Sequence, residues 1–152
     1  MPAKSAEPAL VALDTSCLIA LVSGWHEHHD VTLESLERRL RAGATMVVPA
    51  HALAEAYAVL TRLPAPNRLS PVDAIEVLGE NFESHARTVW LDADEYWSLL
   101  RGAPTAGVYG GRIYDAVIAA CARKAKAREL LTWNLKHFEP FADGSLVVAS
   151  PA

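Results

Sequence analysis

Short apolar runs alternate with longer segments of helical periodicity along this chain, and few folds accommodate that pattern. Ala9–Leu13, Thr45–Val48, Thr88–Leu91 and Glu129–Thr132 read as strands, with Leu146–Val148 as a fifth candidate. Strands buried on both faces read as continuous apolar runs, without polar alternation. Helical segments separate them: Cys17–Val22, His26–Arg41, Ala50–Arg62, Ser70 to about Asn81, Asp92 to about Leu100, and Arg112–Ala127. Strand and helix in regular exchange predict a parallel sheet covered by helices on both faces, a three-layer α/β/α domain with four to five strands.

The boundaries have local chemical reasons. Thr15 and Ser16 are able to cap the first helix, and Gly24 closes it. Gly43 stops the second helix, and Pro49 suits the first turn of the third. Ser70 and Pro71 open the fourth; Asp92 and Glu95 have the capping-box spacing for the fifth. The prolines of Leu63–Asn67 and the glycines between Gly102 and Gly111 mark loops. Residues 1–7 read as a loose tail, and the 152 residues are one domain's worth of chain.

Charge limits the function classes. The formal net charge is −4, which is not the profile of a protein that coats nucleic acid. A polyanionic substrate would be held by local basic groups or bound metal ions. Cys17 and Cys121 lie far apart, with no metal-ligand spacing around them, and read as free buried thiols in a reducing cytoplasm. The apolar stretch Pro8–Ser23 is interrupted by Asp14 and is shorter than the roughly 20 residues of a membrane span. The expectation is a cytoplasmic protein with no membrane segment.

Acidic residues fall where this topology would gather them. Asp14 ends the first strand, Glu55 lies early in the helix after the second, Asp115 is in the first turn of the long helix before the fourth, and Asn134 follows that strand. The carboxyl ends of parallel strands share one edge, where ligands bind. Carboxylates drawn together raise one another's pKa values, and a hard divalent cation relieves the repulsion. Magnesium needs one or two direct carboxylates and keeps several waters. These residue types suit metal-assisted hydrolysis of a phosphodiester. No Ser–His–Asp relay, Cys nucleophile or Walker-type glycine loop is legible.

The same segments carry a family resemblance. LDTSCLIAL resembles the first motif of PIN domains, ALAEAYAVL the second, GRIYDAVIAACA the third and LLTWNLKHF the fourth. Order and intervals agree over nearly the whole chain. The resemblance implies that Asp14, Glu55 and Asp115 are the catalytic and metal-binding acids. Asn134 takes the fourth place, where many relatives carry Asp; its neutral amide makes it a weaker metal ligand than the acids, with a hydrogen bond to a metal-bound water as the alternative to a direct bond. Ser16 and Thr132 would support that shell. The small size is similar to the VapC branch, which implies Mg²⁺-dependent endoribonuclease activity with Mn²⁺ as substitute, a homodimer, inhibition of translation, and neutralisation by a cognate VapB-type antitoxin. Its tail would lie in an apolar groove near Leu18–Val22 and Leu53–Leu60, although core packing explains those residues equally well. A PIN-like binding module without catalysis and a small magnesium-dependent phosphatase remain alternatives, although no Asp-x-Asp follows the first strand.

Other signals admit a plainer account. His26, His28 and His29 cluster at a helix start without two on one face. Arg123, Lys124, Lys126 and Arg128 form the densest basic stretch, at a helix end where the dipole favours cations. Arg112 and Lys136 lie nearer the acidic residues and are the better candidates for RNA phosphate contact. The tryptophans read as core or interface, with Trp133 beside Asn134 the one placed to meet a base.

Overall fold

The structure is a computed structural model that describes residues 8–152; the expected tail over residues 1–7 lies outside the described residues. Five strands form one parallel sheet: β1 (Leu10–Leu13), β2 (Thr45–Pro49), β3 (Ala86–Val89), β4 (Glu129–Leu131) and β5 (Val147–Ala149), in the order β3-β2-β1-β4-β5. Seven α-helices connect them: α1 (Thr15–Val22), α2 (His29–Arg41), α3 (Ala50–Leu60), α4 (Pro71–Leu78), α5 (Ala93–Gly102), α6 (Arg112–Lys124) and the short α7 (Leu135–Phe138).

The strand order explains the layering. From β1 the chain steps outward to β2 and β3, then returns across the sheet to β4 and continues to β5. Right-handed crossovers place helices of the outward and return connections on opposite faces. Val11, Ala12 and Leu13 are all buried, as are Met46, Val47 and Val48. Successive strand residues point to opposite faces, so both faces are covered, as in the expected α/β/α arrangement.

Element bounds differ from the sequence expectation at instructive places. β3 lies two residues earlier than the apolar run Thr88–Leu91 suggests. Its pairing with β2 ends where Val89 meets Pro49, which has no amide hydrogen to continue the ladder. Trp90 is consequently beyond the strand and exposed. Asp14, in place of Thr15 or Ser16, caps α1, its side chain accepting from the Cys17 amide. α2 begins at His29 rather than His26, and α6 ends at Lys124, where Lys126 turns into positive φ. A π-helical turn over Gly79–Glu83 extends α4. Ser70 caps α4, and Asp92 with Glu95 forms the expected capping box on α5. Cys17 and Cys121 are free and buried as expected; burial pushes the Cys121 thiol up to about 11.

Candidate active site at the carboxyl edge of the sheet

The order in which strands are added reverses between the parallel neighbours β1 and β4, and such a switch point opens a crevice beyond the strand ends. Leu13 pairs with Leu131, so the next residues, Asp14 and Thr132, emerge side by side. The Thr132 hydroxyl donates to Asp14 Oδ2 at 2.5 Å, and Ser16 Oγ and the Cys17 amide donate to Oδ1 at 2.7 and 3.0 Å. Asp14 is only 1% exposed. Burial raises its pKa, against the lowering effect of Thr132, Ser16 and Cys17. Three donors occupy three of the roughly four lone-pair sites of a carboxylate. One site on Oδ2 stays uncommitted.

Ser16 is doubly engaged, since its oxygen also accepts from the Trp133 amide at 3.0 Å. Thr132 Oγ1 accepts from the Asn134 amide at 2.9 Å. Both expected supporting residues therefore fasten Asp14 to the turn after β4. Among the described residues the exposed Asn134 side chain makes no hydrogen bond, so its amide is available.

Glu55 and Asp115 lie on the open side. One turn of α3 brings His51 to Glu55, with Nε2 2.6 Å from Oε1, while Thr15 Oγ1 donates to Oε2 at 2.9 Å. Thr15 thus links the segment after β1 to α3. Asp115, in the first turn of α6, has Arg112 Nε at 3.5 Å and His137 Nδ1 at 3.7 Å from Oδ2. Burial raises its pKa; His137 and Arg112 oppose this, and the charges of Glu55 and Asp14 add to it. Glu55 and Asp115 share the wall of a cavity of about 700 Å³, with His51, Arg62, Arg112, Tyr114 and His137 around them.

Among the described residues, however, no three His, Cys, Asp or Glu side chains are grouped so that they could hold a metal ion. The donor chemistry still fits magnesium, which takes oxygen ligands and completes its shell with water. Asp14, Glu55 and Asp115 offer only oxygens, and Asn134 adds an amide oxygen.

His51, Thr15 and His137 were not singled out in the sequence. The His51–Glu55 spacing of four on a helix was the available signal; nothing local announced His137. The three clustered histidines have separate tasks: His26 Nδ1 accepts from the His28 amide, His28 stacks on Trp133 at 3.7 Å, and His29 Nδ1 meets Ala20 O at 2.8 Å. Trp133 Nε1 donates to the buried Thr32, which makes this ring a clamp between α2 and the turn after β4. Trp25, Trp90 and Trp97 are exposed, not core. In the basic stretch, Arg123 pairs with Asp143 and Lys124 with Glu95. Lys136 is exposed, whereas Arg112 donates to His137 O at 2.8 Å and leans over Phe141. Leu18, Leu21 and Leu60 are core residues and line no groove; Leu53 and Tyr57 line an apolar cleft with Ile75, Leu78 and Phe82.

The PIN domain family model matches residues 11–139. The chain belongs to the PIN domain family. As a PIN domain it is 37% identical over 132 residues to Ribonuclease VapC40 of Mycobacterium tuberculosis, covering 87% of this chain and 92% of that protein. It is also 37% identical over 122 residues to Ribonuclease VapC27 of the same species, covering 80% and 82%. The crystal structure of VapBC2 from Rickettsia felis, bound to a DNA fragment from their promoter, shares the PIN fold: TM-score 0.66, 21% identity, 93% of this chain and 98% of that one.

Proposed function

We propose that this PIN domain is a divalent-metal-dependent endoribonuclease, the toxin of a VapBC-type toxin–antitoxin pair. The observation that supports the reading is the cavity at the carboxyl edge of the sheet that Glu55 and Asp115 line together, beside the end of β1 where Asp14 is held by Ser16, Cys17 and Thr132. The two similar ribonucleases support the substrate class, and the VapBC2 fold neighbour supports a cognate VapB-type partner. A homodimer, a cytoplasmic location and inhibition of translation through RNA cleavage complete the proposal. No helix among the described residues is long and apolar enough to cross a membrane.

Each acid has its own task. Asp14 presents one oxygen from a rigid buried setting, Glu55 is oriented by Thr15 and His51, and Asp115 faces the cavity between Arg112 and His137. Mg²⁺, or Mn²⁺ in its place, would be held by one or two of these carboxylates directly and by the remaining acids and Asn134 through its bound waters. When bound it polarises a phosphoryl oxygen and lowers the pKa of water. Arg112 and Lys136 would hold the RNA backbone beside the acids.

Purified full-length protein incubated with RNA tests the reading. Cleavage in Mg²⁺, its loss in chelator, its return with Mn²⁺ and an inert Asp14→Asn variant are expected. RNA breakdown undiminished by chelator overturns the metal. Equal traces for wild type and variant favour the non-catalytic binder, and intact RNA beside a hydrolysed phosphomonoester favours the phosphatase.

A further inference from the structure

An aromatic surface lies beside the acids, and the reading above leaves it without a task. His51 of α3 and Tyr114 of α6 stack with ring centroids 5.1 Å apart and planes 16° from parallel. His51 is the residue that bonds Glu55, and Tyr114 immediately precedes Asp115. Both rings line the same cavity as the two carboxylates. Tyr114 nevertheless remains 52% exposed. No hydrogen bond engages its hydroxyl among the described residues. A large ring left half open at a polar cavity contributes little to a core and offers apolar area to an occupant.

The cavity's chemistry narrows what that occupant is. Arg62 and Arg112 supply cations along its wall, Glu55 and Asp115 supply anions, and the stacked pair supplies a flat aromatic surface, with the single ring of His137 also in the lining. Phosphate oxygens suit the arginines, and a planar heterocycle suits the ring. Nucleotides carry both. A base lying flat on a side-chain ring must be unstacked from its own neighbours, which favours single-stranded segments, loops and bulges.

We propose that the His51–Tyr114 pair is a base-stacking platform that receives an unpaired nucleotide next to the scissile phosphate. This rests on the ribonuclease reading and adds two positioning residues to it: the ring that receives the base beside the scissile bond and the histidine that backs that ring. Tyr114 supplies the contacting ring, and His51 backs it while holding Glu55. The platform is indifferent to the 2′-hydroxyl and tolerant of base identity, because every base has a π face.

The test separates stacking from cleavage. A short single-stranded RNA carrying the fluorescent base 2-aminopurine is titrated against the full-length Asp14→Asn protein, which needs no turnover. Quenching of the probe is expected, and in the Tyr114→Ala background the same titration should show weak quenching and a dissociation constant raised about tenfold. Tyr114→Phe should behave as wild type, since the ring and not the hydroxyl is used. Tyr109→Ala removes a more exposed ring that does not line the cavity and should change nothing. In active protein, Tyr114→Ala should raise KM for single-stranded RNA by a similar factor with kcat within about twofold, and a fully paired RNA should be a poor substrate throughout. Unaltered quenching in Tyr114→Ala, or equal losses in the Ala and Phe variants, overturns the platform. Failure of every form to cut RNA while quenching persists overturns the nuclease and leaves the platform standing.

Discussion

Asp14 carries opposing demands. Desolvation raises its pKa, while donors from Ser16, Cys17 and Thr132 favour the ionised form without fully compensating. An acid whose folded pKa exceeds its unfolded value binds more protons in the native state between those two values. Stability is therefore greatest below the ordinary carboxylate range and falls as pH rises through the raised one. Asp115 has the same sign. In chelator, the melting temperature of wild type should fall relative to Asp14→Asn as pH rises above the ordinary carboxylate range, and a pH series of thermal melts on both proteins reads the difference. At neutral pH, Asp14→Asn should melt higher than wild type while losing about 10³-fold or more in RNA cleavage. A lower melting temperature in the variant would show that the hydrogen bonds outweigh desolvation. Thr132→Val removes the 2.5 Å donor to Asp14 and the cap on the Asn134 amide, and should reduce cleavage about 10- to 100-fold, measured as initial rates at saturating magnesium. Asp14 and Asp115 stood out in the sequence because one follows a strand and the other opens a helix, whereas Glu55 lies mid-helix and drew notice through the motif around it. Their neighbours were harder to see: Thr15 serves Glu55 from forty residues away, and His137 meets Asp115 only because α7 folds back against α6.

At the scale of elements, α6 sets the geometry of the site. It packs against β2, β3 and β4 through a face of small residues, Ala116, Ala119 and Ala122, so its backbone comes close to the sheet. Ala119 is fully buried one turn after Asp115. Ala119→Leu would overpack that contact at about 1–3 kcal/mol, a fall in melting temperature of about 3–10 °C. It should also displace the first turn of α6, so cleavage measured well below the new melting point should drop further than the folded fraction explains. Retained activity at such a temperature would show that Asp115 is placed by Arg112 and His137 instead. The Ala-rich run of α6 was readable as a buried helix face, as were β1 and β2 from their uninterrupted apolar runs. β3 was not, because its true span Ala86–Val89 carries an exposed Arg87 while the more apolar Trp90 and Leu91 lie beyond the point where Pro49 ends the ladder. Hydrophobicity located the strand, and a missing amide on its neighbour decided where it stopped.

For the whole molecule, the net charge of −4 opposes any approach to RNA, so affinity must be local. Two cations of the densest basic stretch are already spent on structure, Arg123 on Asp143 and Lys124 on Glu95 and the Trp90 carbonyl. Arg62 and Arg112 line the cavity of the acids, Arg112 while paired with Asp115 and bonded to His137 O, and the exposed Lys136 follows Asn134 by two residues. Three phosphate contacts on a single strand correspond to a slope of about −2 in log K against log salt, measured with the inactive Asp14→Asn protein. A slope near −5 would mean that cations elsewhere on the surface, the Arg123–Arg128 stretch first among them, bind RNA after all. On the proposed function, the same charge balance gives the divalent ion a part in substrate binding as well as in chemistry. Glu55 and Asp115 line the cavity proposed to receive the phosphate, and like charges at short range repel strongly in a partly buried setting. Magnesium should therefore tighten RNA binding to wild type even where cleavage is blocked by a non-cleavable backbone, and should raise its melting temperature in a concentration-dependent way. Both effects should shrink in Asp14→Asn, which keeps the cavity but offers the ion one charge fewer.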